Sequence, residues 1–265
     1  MNELELLDIA VQVAVEAADT ARRMRNEAIT DVGTKSTVTD VVTAADRAVE
    51  QQVITALAAR RPGDTVLGEE FGGAPVSGGG VRWIVDPIDG TVNYLYGLAY
   101  YAVSIAAEVD GEVVAGVVRH ATTGETWTAA KGHGAWREGV RLTGSPATEL
   151  GLSLLGTGFG YAKERRAQQA GVVAQVLPVV RDIRRMGSAA LDLCAAAEGR
   201  LDAYYEKGLA EWDLAAGGLI AREAGLLVTG LSGRPAGPDM VLAAPPALHG
   251  PLDALLAGLD ADAGP

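Results

Sequence analysis

Trp83-Ile84-Val85-Asp86-Pro87-Ile88-Asp89-Gly90-Thr91 is the stretch on which the reading turns. The apolar run Val81 to Val85 reads as a strand that stops at an acid, and a turn fixed by Pro87 and relaxed by Gly90 then presents a second acid at Asp89. Such a strand end places two carboxylates and the Ile88 carbonyl around one concave point. That is the oxygen-rich setting a hard divalent cation prefers, and magnesium is its natural occupant. The preceding apolar run, Thr65 to Leu67, closes on Gly68-Glu69-Glu70 in the same way, so the acids converge at one sheet edge if the two strands are neighbours. Glu211-Trp212-Asp213, just ahead of a helical pattern, aims a further carboxylate from a helix N-terminus, where negative charge is favoured. Carboxylates gathered this closely repel one another unless cations compensate them.

Taken singly, Asp-Pro and Asp-Gly pairs are ordinary turn chemistry and paired glutamates are ordinary surface. What favours a metal site is the apolar strand leading directly into each acid, with no counter-charge adjacent in the sequence. Paired ions ~3.5–4 Å apart suit phosphoryl chemistry, because together they activate water and stabilise the leaving oxygen. The sequence contains no Walker loop, no HExxH and no Ser, His, Asp order of a hydrolase elbow. His120, His133 and His249 stand alone and read as surface or turn residues.

Outward from this centre, Leu4, Leu7, Val11, Ala14, Val15 and Ala18 recur at helical spacing and predict a first helix ending near Asn26. A second, from Val42 through Ala59, is stopped by Arg61-Pro62-Gly63. The glycine-rich segment from Gly72 to Gly80 reads as a loop. Between Tyr101 and Leu142, strand-like runs alternate with turns at Asp110-Gly111, Thr123-Gly124 and Lys131-Gly132, the pattern of an antiparallel meander. The remainder alternates strand and helix. Strands are expected near Leu152 to Thr157, at Ile183, at Leu201 to Tyr205 and at Leu226 to Thr229. Helices are expected near Ala162 to Leu177, Ser188 to Glu198 and Leu214 to Ala224. Blocks of helix, sheet, helix and sheet imply an α/β protein of stacked layers. Its expected halves are 1–148, carrying most of the acids, and 149–265, carrying Asp213, within one compact catalytic unit.

The 265 residues, 48% of them hydrophobic, suffice for a substantial core. A formal charge of -12 opposes a nucleic-acid partner, since a polyanion is bound through a basic patch. Arg22, Arg23 and Arg25 lie among acids, and Arg181, Arg184 and Arg185 form the only other small basic cluster worth noting. Cys194 is the single cysteine, which fits a reducing compartment, and its setting in LDLCAAAEG reads as helix core. The acidic amphipathic start does not read as a signal peptide, and no apolar run reaches membrane-spanning length, so a cytoplasmic location and no membrane partner are expected.

The chain resembles the inositol monophosphatases, within the lithium-sensitive, magnesium-dependent phosphatase superfamily. The likeness rests on Lys35-Ser36, on Asp40 to Asp46, on GEE at 68–70 and on WIVDPIDGTVNY at 83–94. It continues through RRMGSAALDLC at 184–194, YYEKGLAEWDLAAGG at 204–218 and LAAPP at 242–246, essentially the whole chain. The resemblance implies an alternating α-β-α-β-α sandwich of the sugar and inositol phosphatase type, assembled as a homodimer. It implies hydrolysis of a small phosphomonoester, inositol 1-phosphate first, with sensitivity to lithium. Histidinol-phosphate phosphatase and fructose-1,6-bisphosphatase are alternative readings, and a non-catalytic regulatory or scaffolding protein is a distant one.

The resemblance also implies roles. Glu69, Asp86 and the Ile88 carbonyl correspond to ligands of a first magnesium, Asp86, Asp89 and Asp213 to those of a second, and a third, weaker ion would sit near Glu69; Mn2+ would substitute. Thr91 and Asp46 correspond to the pair that positions the attacking water, with Lys35 close by. The Gly90 and Thr91 amides would hold phosphate oxygens, while Gly187, Ser188, Ala189 and Glu206 would face the polyol alongside Asp213. No departure occurs at the metal-binding positions. Variation falls at Glu211 and in the loop from Gly72 to Gly80.

Overall fold

Leu6, Ala10, Val13, Ala17 and Ala21 are buried along one stripe of the first helix, α1 (Glu3–Glu27), as a spacing of three and four requires. The structure is a computed structural model that describes residues 2–27, 32–35, 37, 41–73 and 80–264. Ser36 and Asp40 of the family-like motif, and 74–79 of the glycine-rich loop, lie outside the described residues.

After α1 come the two-residue strands β1 (Gly33–Thr34) and β2 (Val41–Val42), then α2 (Ala44–Arg60), which Thr43 and Asp46 start with a capping box. β3 (Thr65–Gly68), β4 (Val81–Asp89), the short helix α3 (Thr91–Tyr96), β5 (Ala102–Val109) and β6 (Glu112–His120) follow. β7 (Thr126–Ala130), β8 (Ala135–Arg137) and β9 (Val140–Arg141) finish the meander. The chain continues through β10 (Leu154–Thr157), α4 (Lys163–Val176), β11 (Asp182–Arg184), α5 (Ala189–Glu198) and β12 (Ala203–Glu206). It ends with α6 (Glu211–Glu223), β13 (Leu227–Thr229), β14 (Val241–Ala244) and α7 (Pro246–Gly258).

β3 to β9 form a seven-stranded sheet in chain order, with β3 and β4 parallel and each later neighbour antiparallel. The second sheet has five strands in the order β11-β10-β12-β14-β13. β10 is parallel to β11 and β12, and β14 is antiparallel to both of its neighbours.

Three cores stack these elements. α1 and α2 cover one face of the large sheet over Trp83, Val103 and Val117. α5 and α6 fill the space between the sheets, setting Leu193, Ala216 and Ile220 against Ile84, Val118 and Tyr204. α4 and α7 close the far face of the small sheet, where Val172, Leu248 and Leu252 meet Leu155 and Tyr205. The result is the expected α-β-α-β-α order of layers. Bare backbone permits one of these contacts: a Cβ on Gly116 of β6 would come within 3.0 Å of the Ala216 Cα of α6.

Four details differ from the sequence reading. β4 does not stop at Val85 but runs through Pro87 to Asp89, because the strand bulges instead of turning. α6 begins at Glu211, not Leu214, since Asp213 accepts from the Ala210 N–H and caps the first turn. β14 and α7 lie beyond the last element expected from the sequence. Pro246 occupies the first turn, where an N–H has no helical partner to lose. His120 is buried at the end of β6, edge-on to the Tyr100 ring, and not on the surface. Among the described residues no helix is long and apolar enough to cross a membrane.

Candidate active site

The parallel pairing of β3 with β4 sets Gly68 opposite Val85, so Glu69, just past the end of β3, lies beside Asp86 on β4. Against β5, Asp86 pairs with Ser104 and Asp89 with Ala102, so β4 carries one more residue than its partner between these points. That bulge holds Pro87, whose missing N–H costs the ladder nothing there, and swings Asp89 toward Asp86. Gly90 then caps α3 at φ 97°. A Cβ there would meet the Tyr100 and Gly187 carbonyl oxygens at 3.0 and 3.2 Å, so strain and space both demand glycine.

Oxygens of Asp86, Asp89 and Asp213 lie within 4.8 Å of one another. Each carboxylate is also held by a neighbouring donor. The Ile88 N–H donates to Asp86 at 3.0 Å, and the Ala210 N–H to Asp213 at 2.7 Å. Asp89 accepts at 2.6 Å from the Ser188 hydroxyl and at 2.7 Å from the Ala190 N–H, at the start of α5. These bonds engage one oxygen of each group and orient the carboxylates as a set, as hydrogen-bond donors behind metal ligands do. Burial, reinforced by Glu69 and by its two aspartate neighbours, pushes the Asp86 carboxyl well above its ordinary range. Asp213 is raised in the same way, by burial and then by Asp89 and Glu69. Buried like charges of this kind fit a divalent cation, which would remove the repulsion that raises them.

Glu69 stands beside this triad and against Lys35, whose Nζ is 2.7 Å from its Oε1 and also pairs with Glu70. Burial lifts Glu69 to about 7 despite Lys35. Behind it, the buried Glu50 carboxylate of α2 accepts from the Glu70 and Phe71 N–H groups at 2.8 and 3.0 Å and pins the turn that carries Glu69. Glu50 escaped the sequence reading; its signal is the i, i+4 relation to Asp46 on a face otherwise filled by Ala45, Val49 and Val53.

Thr91 Oγ1 lies 3.1 Å from both Asp46 Oδ1 and the Ile88 carbonyl oxygen. The Thr43 N–H and hydroxyl donate to the other Asp46 oxygen at 2.8 and 2.6 Å, and burial raises the Asp46 carboxyl above its usual value.

Lys35, Glu69, Asp86, Asp89, Thr91 and Asp213 border one cavity of about 380 Å³ between the two sheets, while the fully buried Asp46 stands behind Thr91 and off the lining. Ile88, Gly90, Gly187, Ala189 and Glu206 also line it. Ser188, expected to face the polyol, is buried instead and does not belong to the described lining; as the N-cap of α5 its side chain turns back onto the helix and Asp89. Glu206 accepts from the Tyr204 hydroxyl, and burial lifts its carboxyl to about 7. Phe159, Arg165, Arg185 and Lys207 were not picked out as site residues, yet they line the same space. A partial sequence signal is the glycines near three of them: Gly158 and Gly160 flank Phe159, Gly208 follows Lys207 and Gly187 lies two residues after Arg185, while Arg165 has none adjacent.

The model of the inositol monophosphatase family matches residues 2–259. The chain belongs to that family. Members are phosphatases, and the chain is an enzyme of this kind. It is 48% identical to the inositol-1-monophosphatase of Mycobacterium leprae, covering 96% of this chain and 93% of that one. It is 37% identical to the Escherichia coli Nus factor SuhB, over 86% of each. Among solved structures of the family, Mycobacterium tuberculosis SuhB superposes with a TM-score of 0.83 at 44% identity, over 97% of this chain and 98% of that one.

Proposed function

We propose that this chain hydrolyses the phosphate ester of a small polyol, with inositol 1-phosphate as substrate and Mg2+ as the divalent cation. The observation that carries the reading is the convergence of Asp86, Asp89 and Asp213 within 4.8 Å on the wall of a cavity that also holds Glu69, Thr91 and Glu206. Asp86, Asp89 and Asp213 would hold one ion, and Glu69, Asp86 and the Ile88 carbonyl a second. When bound, the ions supply charge compensation to the transferring phosphoryl group and lower the pKa of water.

The protein's own part is positioning and proton transfer. The Gly90 and Thr91 amides orient phosphate oxygens at the start of α3. Thr91 Oγ1 takes a proton from the attacking water as it gives its own to Asp46, whose buried carboxyl is made a better acceptor by its raised pKa. Glu206, aligned by Tyr204, accepts from hydroxyls of the alcohol. The homodimer, the cytoplasmic setting, lithium inhibition and the halves 1–148 and 149–265 belong to the same proposal, on the support of the family likeness.

Phosphate release from inositol 1-phosphate in Mg2+, abolished by chelation, is the expected result. A higher kcat/KM on histidinol phosphate would reject the alcohol assigned here. The relatives named Nus factors support a second reading, a regulatory protein without turnover. An intact carboxylate triad favours catalysis, since a scaffold gains nothing from clustered buried charge. Absence of turnover on every phosphomonoester would favour the regulatory reading.

A further inference from the structure

The ladder of the small sheet stops at Glu206, the last residue of β12, which pairs with Val241 of β14. Lys207, Gly208 and Leu209 nevertheless continue the cavity wall beside Glu206. A wall without strand partners has to be held from behind. Packing does little of this, for Tyr205, Met240 and Ala261 border a space of about 10 Å³ at the back of Glu206 and Lys207, room for one water at most.

Polar contacts hold the wall instead. The Gly208 N–H donates to the Pro238 carbonyl at 2.8 Å, and the Gln169 side-chain amide donates to the Lys207 carbonyl at 3.3 Å. The strongest hold is the Lys207 side chain, whose Nζ donates at 2.7 Å to both the Ala263 and the Gly264 carbonyl oxygens. Bonds from a charged donor are stronger than those between neutral groups, and Lys207 is buried, so water competes little for them.

The acceptors are themselves anchored. Asp260, at φ 49°, reverses the chain after α7, and the Ala261 N–H returns to the Leu256 carbonyl at 3.1 Å. Gln168 of α4 donates to the Asp260 carbonyl at 3.1 Å, Ala261 is buried in the core of the outer layer, and Asp262 pairs with Arg234 between β13 and β14. Segment 260–264 is thus fixed to α4, to α7 and to the connection before β14, and Lys207 ties the cavity wall to that frame.

We propose that Lys207 is a positioning residue: by gripping segment 260–264 it holds 207–209 in place, keeps that wall ready for the alcohol portion of the substrate and so sets the affinity for it. The inference rests on the reading of the Glu206 end as the alcohol-binding end of a phosphatase.

Lys207→Met tests it, since the substitution keeps an apolar stem and removes the donor. KM for inositol 1-phosphate is expected to rise fivefold or more with kcat within twofold, and the inhibition constant of inorganic phosphate, which reads the triad end, to stay within twofold. Lys207→Arg keeps charged donors at that point and is expected to hold KM within twofold of the parent. A chain ended after Leu259 lacks the acceptors and should show the same rise in KM. Adding Lys207→Met to it should raise KM no further, because residues that act through one contact are not additive. An unchanged KM in Lys207→Met, or a matching loss of phosphate affinity, overturns the positioning role. A further rise when Lys207→Met is added to the shortened chain also overturns it, by placing Nζ on the substrate. If the shortened chain does not fold, the two full-length variants decide, and an equal rise of KM in both overturns the role. Absence of phosphate release by the unaltered chain overturns the phosphatase reading and this role with it.

Discussion

At Asp89 one side chain serves two partners, an oxygen toward the triad and an oxygen toward Ser188 and the α5 backbone. Asn keeps an acceptor for the second role and loses the charge needed for the first. Asp89→Asn is therefore expected to lower phosphate release by a hundredfold or more, roughly the several kcal/mol a bound cation contributes to transition-state charge. Its melting temperature in EDTA should equal or exceed that of the parent, because a like charge has left the cluster. Steady-state kinetics with paired thermal melts check both halves, and a melt lowered in EDTA would place Asp89 in the fold more than in the chemistry. Buried acids also set a pH dependence. Burial and neighbouring carboxylates raise Glu69, Asp86 and Asp213 in the cation-free protein, so the folded state holds protons that the unfolded state releases. Stability in EDTA should then fall as pH rises from the ordinary carboxylate range, about 4, to the Glu69 value of about 7. Melts across that range read the slope, and a rise in stability with pH would contradict it.

Among the elements, the turn after β3 shows how a helix fixes a strand end. Glu50 on α2 satisfies two backbone N–H groups of that turn from full burial, and a Cβ on Gly68 would meet its Oε1 at 1.9 Å. Glu50→Ala should cost about 1–3 kcal/mol by leaving those donors unpaired. It should also raise the Mg2+ concentration needed for half-maximal activity, because Glu69 loses its backing. Denaturant melts and a metal titration test the two effects. Where β6 meets α6, Gly116→Val should destabilise by about 1–3 kcal/mol through overpacking against Ala216, with activity per folded molecule retained. A loss of activity without loss of stability would show instead that the contact tunes the site through Asp213 on the same helix.

For the whole molecule, the site lies where separate layers meet. β3 and β4 bring Glu69, Asp86 and Asp89 from the large sheet, α2 brings Asp46, α6 brings Asp213, and β12 of the small sheet brings Glu206. A cation held by several of these should bind the folded chain alone and stabilise it by mass action, about 2.7 kcal/mol at a hundredfold excess over Kd. Mg2+ is thus expected to raise the melting temperature, and to do so more at pH 8 than at pH 5, since protonated carboxyls compete with the ion. Equal shifts at both pH values would argue against carboxylate ligation.

The order of layers was legible because helical and strand periods change in blocks along the chain, and the acids were legible because each follows an apolar run that has to end at a sheet edge. Local chemistry likewise placed Asp213 at a helix N-terminus, though its capping of the first turn, and so the start of α6 at Glu211, was not legible. The pairing of β3 with β4, the bulge that turns Asp89 inward and the burial of Ser188 were decided by tertiary structure, for register and rotamer depend on partners far away in sequence. The same holds for Glu50 behind Glu69 and for Arg165 and Arg185 across from the triad. A charged residue looks solvated in sequence, and only the fold shows which one is drawn inside, as Glu50 is, or turned toward a cavity.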